Sequence, residues 1–336
     1  MTTTLAINGF GRIGRCVLRA VIEQGRDDIE IVAINDLGPV ETNAHLLKYD
    51  SVHGRLNAEV RAEPGALIVD GRRIRVTAER DPSRLPWEGV DVALECTGVF
   101  ADAEKARAHL DNGVRRVLVS APSQGADRTV VYGVNHDSLR PEDRIVSNAS
   151  CTTNCLAPVA QVIDDAFGIE TGYMTTIHSY TGDQPTLDAL HKDLYRARAA
   201  AMSMIPTSTG AARAVGLVLP HLAGRLDGSA IRVPTPNVSV VDLSVMTRHP
   251  ATPDAVTEAM RAAAEGRLAG ILGVEDAPLV SQDFLHDPHS SIYAPGGTRV
   301  TEGGMLRVMS WYDNEWGFSC RMLDTARAMA ALPAQT

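Results

Sequence analysis

The sequence has no run approaching the roughly 20 apolar residues that a membrane-spanning helix needs. Its first residues, Met1-Thr2-Thr3-Thr4-Leu5, lack a basic stretch followed by an apolar core, so no secretory signal is expected. Cysteine is sparse: Cys16, Cys96, Cys151, Cys155 and Cys320 are odd in number and form no Cys-x-x-Cys pair. That argues against a disulfide framework and a zinc ribbon, so no metal is expected and a reducing cytoplasm fits best. An excess of positive charge is missing too. The formal net charge is -9 and the pI is near 5.6, which gives no general attraction for nucleic acid or an anionic membrane. No internal repeat and no low-complexity linker is visible.

What is there fits a globular protein. The 336 residues suffice for two domains, and 44% hydrophobic with 22% charged residues is ordinary. Short apolar runs at 5–8, 29–34, 90–94, 117–119 and 145–146 alternate with helical spacing at Ile13, Val17, Ala20 and Val21 and at 103–110. Gly25 can stop the first helix. Strand, helix, strand in succession predicts an α/β domain with a parallel sheet. Beyond about residue 150 the pattern changes. A helix over 151–167 leads to strand candidates at 173–177, 231–233, 238–245 and 306–311, which alternate more. Thr252-Pro253 reads as the cap and first turn of a helix through Ala264, and 322–332 is helical again.

Gly9-Phe10-Gly11-Arg12-Ile13-Gly14 stands between the first strand and the first helix. Alone, G-x-G-x-x-G says little. Here a second strand ends in Asp36, so the whole unit reads as a dinucleotide fingerprint. The glycines allow a tight turn and close approach of N–H groups to a pyrophosphate, and the helix start favours the anion. Asp36 can accept hydrogen bonds from ribose hydroxyls and repels a 2′-phosphate, which favours NAD over NADP. The competing reading is a glycine-rich turn without a ligand.

The stretch 147–155, Ser-Asn-Ala-Ser-Cys-Thr-Thr-Asn-Cys, is small and polar before turning apolar at Leu156, as a loop does on entering a helix. A thiol there, Cys151, gains from the helix dipole, whereas Cys155 one turn on reads as a buried small hydrophobe. Spacing alone leaves Cys151 open between reactive and inert. Among 10 histidines, His178 is best placed as a base because it ends a strand and opens a polar loop; a structural histidine is the alternative. Thr207 to Ala212 leads into an apolar helix, which suits either an anion site or a plain N-cap. Arg196 and Arg198 follow His191-Lys192, and Arg232 interrupts an apolar strand, so it is either functional or part of a buried ion pair.

Taken together, 7–15, 45–51, 147–155, 232–239 and 311–316 resemble the glyceraldehyde-3-phosphate dehydrogenase family over nearly the full length. The resemblance implies a Rossmann-type NAD-binding domain at 1–150 and an α+β catalytic domain with a mixed sheet at 151–314. It also implies a C-terminal helix at about 315–336 packed on the first domain, and a homotetramer. Carried over by motif, Cys151 is the nucleophile and His178 its base. Gly9, Gly11, Arg12, Ile13 and Gly14 meet the cofactor's pyrophosphate, and Asp36 its adenosine ribose. Arg80 and Ser120 line the cleft, and Asn314 holds the nicotinamide carboxamide. Thr181, Arg196 and Arg232 take the substrate phosphate; Ser150, Thr152, Thr209 and Gly210 take inorganic phosphate. The implied reaction is phosphorylating oxidation of D-glyceraldehyde 3-phosphate to 1,3-bisphosphoglycerate, through a Cys151 hemithioacetal and thioester. The chain departs from NAD-preferring members at Leu190, where they often carry proline before His191-Lys192-Asp193. The rivals are erythrose-4-phosphate dehydrogenase and a non-catalytic, cofactor-binding regulator.

Overall fold

The computed structural model describes residues 2–333. Packing divides the chain into two compact units. One takes in the chain up to Tyr132, His136–Ala149 and the stretch from Ser319 onward; the other takes in Gly133–Asn135 and Ser150–Phe318.

The first unit is built on a nine-stranded sheet. Thr3–Asn8 lies at its centre, parallel to Ile29–Asn35 on one side and Val92–Glu95 on the other, with Arg116–Val119 and Ile145–Ser147 continuing outward in parallel. Every residue of Val92–Glu95, Arg116–Val119 and Ile145–Ser147 is buried, as expected for strands covered on both faces. The far edge differs from the sequence expectation: Arg72–Thr77 joins in parallel, then Ala66–Val69 and Val60–Glu63 add an antiparallel extension. The segment 103–110 is two short helices, Ala103–Ala106 and Ala108–Asp111, not one. The first helix, Arg12–Glu23, ends ahead of Gly25, whose φ of 61° the absence of a Cβ permits. The C-terminal helix Trp316–Ala330 begins earlier than its apolar pattern suggests; Arg26 reaches Asp324 at 3.0 Å, and Thr325 donates to the Asn148 side chain at 2.8 Å.

The second unit holds a mixed sheet in the order Ile205–Ser208, Leu226–Val233, Ile169–Ser179, Ser239–Thr247, Met305–Tyr312, Ser291–Tyr293 and Leu272–Val274. Ile169–Ser179 is parallel to Leu226–Val233 and antiparallel to Ser239–Thr247. Met305–Tyr312 alternates buried and more open residues, the mark of a sheet with one wetter face. Thr252 caps the helix Pro253–Glu265 through the Ala255 N–H at 3.2 Å.

An ion pair steadies the start of the first helix. Arg12 grips Asp50 with two nitrogens, at 2.5 and 3.2 Å, and the Asp50 side chain is almost wholly buried. Burial alone would raise its carboxyl; the hydrogen bond and charge of Arg12, with the N–H groups of Val52 and His53, outweigh that and hold it at about 2 against an ordinary 3.8. A depressed carboxyl stabilises the fold above its unfolded value and loses that contribution as pH falls through the folded one. Asp50→Asn should therefore cost about 2 kcal/mol at neutral pH, shrinking toward zero between pH 4 and 2. Urea unfolding across that range measures it.

Candidate active site

Cys151 opens the helix Cys151–Phe167 because Ser150, in extended backbone, caps it: the Ser150 hydroxyl accepts from the Thr153 N–H at 3.0 Å. Just before it, Ala149 adopts a φ of 56°, a left-handed conformation that an L-residue holds only where packing enforces it. Beside the helix start runs Ile169–Ser179. Its parallel register with Leu226–Val233 sets His178 directly opposite Arg232. The Cys151 Sγ lies 3.5 Å from His178 Nε2; the sulfur keeps some open surface, while the imidazole is buried.

The other ring nitrogen fixes the tautomer. His178 Nδ1 is 2.7 Å from the Ser179 carbonyl, which can only accept, and 3.0 Å from Arg232 Nη1, which can only donate; with the Nη1 protons directed to Ser179 O and Thr181 Oγ1, the shorter contact puts the proton on Nδ1 and leaves Nε2 facing the sulfur as a base. Arg232 Nη1 packs alongside, donating to that carbonyl at 2.9 Å and to Thr181 Oγ1 at 3.0 Å. Burial pushes His178 down to about 3, and the charge of Arg232 acts in the same direction. Burial pushes the Cys151 thiol up, opposed by Arg232 and by hydrogen bonding at Thr152. Burial thus acts against the stabilisation that a helix start gives a thiolate.

Arg232 has no carboxylate within ion-pair distance among the described residues, and its Nε is buried without a partner. An unmatched guanidinium of this kind is an anion site in waiting. Arg196 is close enough to depress it further. Arg196 contacts Asp183 at 3.0 Å and Thr207 Oγ1 at 3.1 Å, and Thr181 donates to Asp183. Thr181, Arg196 and Arg232 thus converge beside His178. Ser150 and Thr209 lie in a second cluster, linked because the Thr153 hydroxyl bonds Ser150 at 2.8 Å and the Ala211 carbonyl at 3.4 Å, while Thr209 Oγ1 accepts from the Ala211 N–H. Gly210 starts the helix Ala211–Val218 with no side-chain cap. The hydroxyl of Thr152 is already engaged, with buried Tyr312 at 2.9 Å.

In the first unit, a cavity of about 410 Å³ is lined by Gly9, Gly11, Asp36 and Arg80, among others. A Cβ on Gly9 would sit 2.7 Å from the Thr97 nitrogen, and one on Gly14 would sit 2.2 Å from the Gly9 oxygen, so both glycines are required. Gly11 faces open space and leaves the first turn of Arg12–Glu23 uncapped, which suits a pyrophosphate. Asp36 accepts from the Phe10 and Gly38 N–H groups, both at 2.9 Å. Each carboxylate oxygen has a second acceptor direction for a ribose hydroxyl. The Arg12 side chain is spent on Asp50, leaving Arg12 and Ile13 only their backbone for a ligand. Ser120 is not on the cavity wall; its N–H bonds the Glu95 carbonyl at 3.0 Å. Asn314, in the second unit, has its Oδ1 held by Ser179 and Ser239 at 2.9 and 2.8 Å.

Residues 3–103 match the model of the glyceraldehyde 3-phosphate dehydrogenase NAD-binding domain, and 150–314 match that of the C-terminal domain. The chain belongs to the glyceraldehyde 3-phosphate dehydrogenase family. It is similar to curated members throughout: 66% identical to glyceraldehyde-3-phosphate dehydrogenase of Cereibacter sphaeroides, covering 99% of this chain and 100% of the relative. The corresponding protein of Xanthobacter flavus is 65% identical over the same shares, and that of Pseudomonas aeruginosa 58% over 98% and 99%. The family's NAD-dependent oxidoreductase chemistry and its Rossmann-type fold with a mixed-sheet partner domain apply here.

Sequence reasoning on this family member missed the supports around the named residues. Tyr312 bonds both Thr152 and Thr176 at 2.9 Å and packs edge-on to His178. Only the alternation of 305–312 hinted that Tyr312 points inward. Asp183 and the Ser179–Ser239 pair carried no signal of their own. Replacing Arg232 with Gln removes a charge that lowers both His178 and Cys151. Both should titrate higher in Arg232→Gln, read by NMR of the imidazole and by the pH midpoint of Cys151 alkylation.

Proposed function

We propose that this chain catalyses the phosphorylating oxidation of D-glyceraldehyde 3-phosphate to 1,3-bisphosphoglycerate with reduction of NAD. The observation that carries this reading is the Cys151 sulfur 3.5 Å from His178 Nε2, beside an arginine with no carboxylate partner. In it, the first unit binds the cofactor and the second unit carries the chemistry.

As Cys151 Sγ attacks the aldehyde carbon, His178 Nε2 takes the thiol proton and returns it to the carbonyl oxygen, giving a hemithioacetal. Thr181, Arg196 and Arg232 hold the substrate phosphate. Burial is the larger cause of the depressed imidazole; that anion offsets the lesser one, the charge of Arg232, so the base strengthens when substrate arrives. His178 then removes the hydroxyl proton as hydride departs, leaving a thioester. Bound NAD supplies the hydride acceptor, its pyrophosphate on the Gly9-to-Gly14 turn and its ribose on Asp36, with Asn314 for the carboxamide. Arg80 borders the adenosine side, on the cavity wall with Asp36, whereas Ser120 is off that wall. Inorganic phosphate, at Ser150, Thr152, Thr209 and Gly210, attacks the acyl carbon; the C–S bond breaks and the acyl phosphate leaves.

Leu187, Leu190, Leu194, Tyr195, Met202 and Met204 stand exposed on one stretch of chain, Leu190 completely so. Such a cluster calls for cover, and the proposed cover is other copies of the chain in a homotetramer. No described helix is long and apolar enough to cross a membrane, and none of the five cysteines forms a disulfide. Those facts support a cytoplasmic setting, and the net charge of -9 argues against a nucleic-acid partner. Neither erythrose-4-phosphate oxidation nor a non-catalytic role has a specific observation in its favour.

Turnover of NAD with glyceraldehyde 3-phosphate should require inorganic phosphate and exceed that with erythrose 4-phosphate. Cys151→Ser should abolish it while NAD still binds. His178→Asn should lower kcat by roughly 10²- to 10⁴-fold. Stopped turnover assays with NAD titrations decide this; an active Cys151→Ser enzyme would refute the mechanism.

A further inference from the structure

We propose that Glu95, held by His109, is a positioning residue for the dinucleotide site; this rests on the cofactor reading given above. Glu95 ends Val92–Glu95 and is only 1% exposed, so its carboxylate does not reach a ligand itself. It nevertheless gathers donors from the loops that line the cavity. Oε2 accepts from Asn8 Nδ2 at 2.7 Å and from His109 Nε2 at 2.9 Å. Oε1 accepts from the Thr97 N–H at 2.8 Å and from the Thr97 hydroxyl. That hydroxyl accepts in turn from the Val99 N–H at 3.0 Å. A buried carboxylate is costly unless its lone pairs are filled, and these are.

The consequence is geometric. Thr97 and Val99 are on the cavity wall, and the Thr97 backbone lies where a side chain on Gly9 would have to go. The position of Thr97 thus limits where the fingerprint turn sits. On its other oxygen the carboxylate orients Asn8, whose Oδ1 accepts from Asn35 Nδ2 at 2.8 Å. Asn35 then holds both the N–H and the carbonyl of Glu79, each at 2.8 Å. Asn8, Asn35, Glu79 and Thr97 all line the cavity, so one carboxylate ties together four strand ends around it.

His109 is placed for this contact. It is fully buried, its ring stacks on Trp87 with 5.6 Å between centroids, and its Nδ1 has no partner among the described residues. Its Nε2 lies 2.9 Å from Glu95 Oε2 and 3.4 Å from Asn8 Nδ2. A buried ring that leaves one nitrogen unsatisfied to serve one carboxylate marks a site where position matters more than stability.

The test uses the full chain and NAD, with Glu95→Gln and Thr97→Val. Gln at 95 must turn its NH₂ toward a donor and loses at least one bond; Val at 97 keeps the volume and loses the hydroxyl without touching the buried charge. Dissociation constants for NAD come from quenching of intrinsic fluorescence, and KM and kcat from steady-state turnover. Glu95→Gln should weaken NAD binding about tenfold or more, and Thr97→Val about threefold. KM for NAD should rise in step, with kcat at saturating NAD within about twofold of the parent. If both variants bind NAD as the parent does, whatever their melting temperatures, the proposal fails. Should Glu95→Gln not fold, Thr97→Val alone decides. If the parent itself does not bind NAD, the cofactor reading fails instead.

Discussion

The chemistry proposed for this chain depends on one contact: a sulfur at a helix start, 3.5 Å from an imidazole at a strand end. Neither group gets there alone. Ser150 fixes where the helix begins, and with it where Cys151 points. The pairing of Ile169–Ser179 with Leu226–Val233 fixes His178 and, in the same register, sets Arg232 opposite it. Because side chains alternate along a strand, a slip of one residue would turn His178 to the other face. The base, the anion site and the tautomer all follow from that register, since the Ser179 carbonyl serves both Nδ1 and Arg232.

The enclosure of the pair has a chemical logic. Burial disfavours charge on both the thiol and the imidazole, in a site that also carries a guanidinium with no carboxylate partner among the described residues. Charge enters with the substrate. A phosphate beside Arg232 relieves the electrostatic pressure on His178 just when a proton must move. Reactivity is thereby coupled to occupancy of the anion site. The dinucleotide side rests on a buried group of its own: Glu95 is enclosed, and the donors gathered on it shape the cavity wall.

Much of this was legible in the residues. The helix from Cys151 to Phe167 was read to its ends, because small polar residues before an apolar run announce a capped start. Arg232 stood out as a charge within an apolar strand, and Asp36 as an acid at a strand end. The antiparallel extension over Val60–Thr77 was not legible, since its short outer strands carry exposed charged residues such as Arg61, Arg73 and Arg75 among their apolar ones. Nor were the partners of the site residues. That Thr152 meets Tyr312, or Ser239 meets Asn314, depends on pairings across long stretches of sequence. Local pattern gives the type of an element; it does not say which distant hydroxyl completes a hydrogen bond.

The most direct test of the nucleophile is to withhold inorganic phosphate. Under single-turnover conditions with glyceraldehyde 3-phosphate and NAD, quenched in acid, peptide mass spectrometry should find the phosphoglyceroyl group on Cys151, in amount matching the NADH formed. NADH formed stoichiometrically with Cys151 unmodified, or with the acyl group on another residue, would contradict the account.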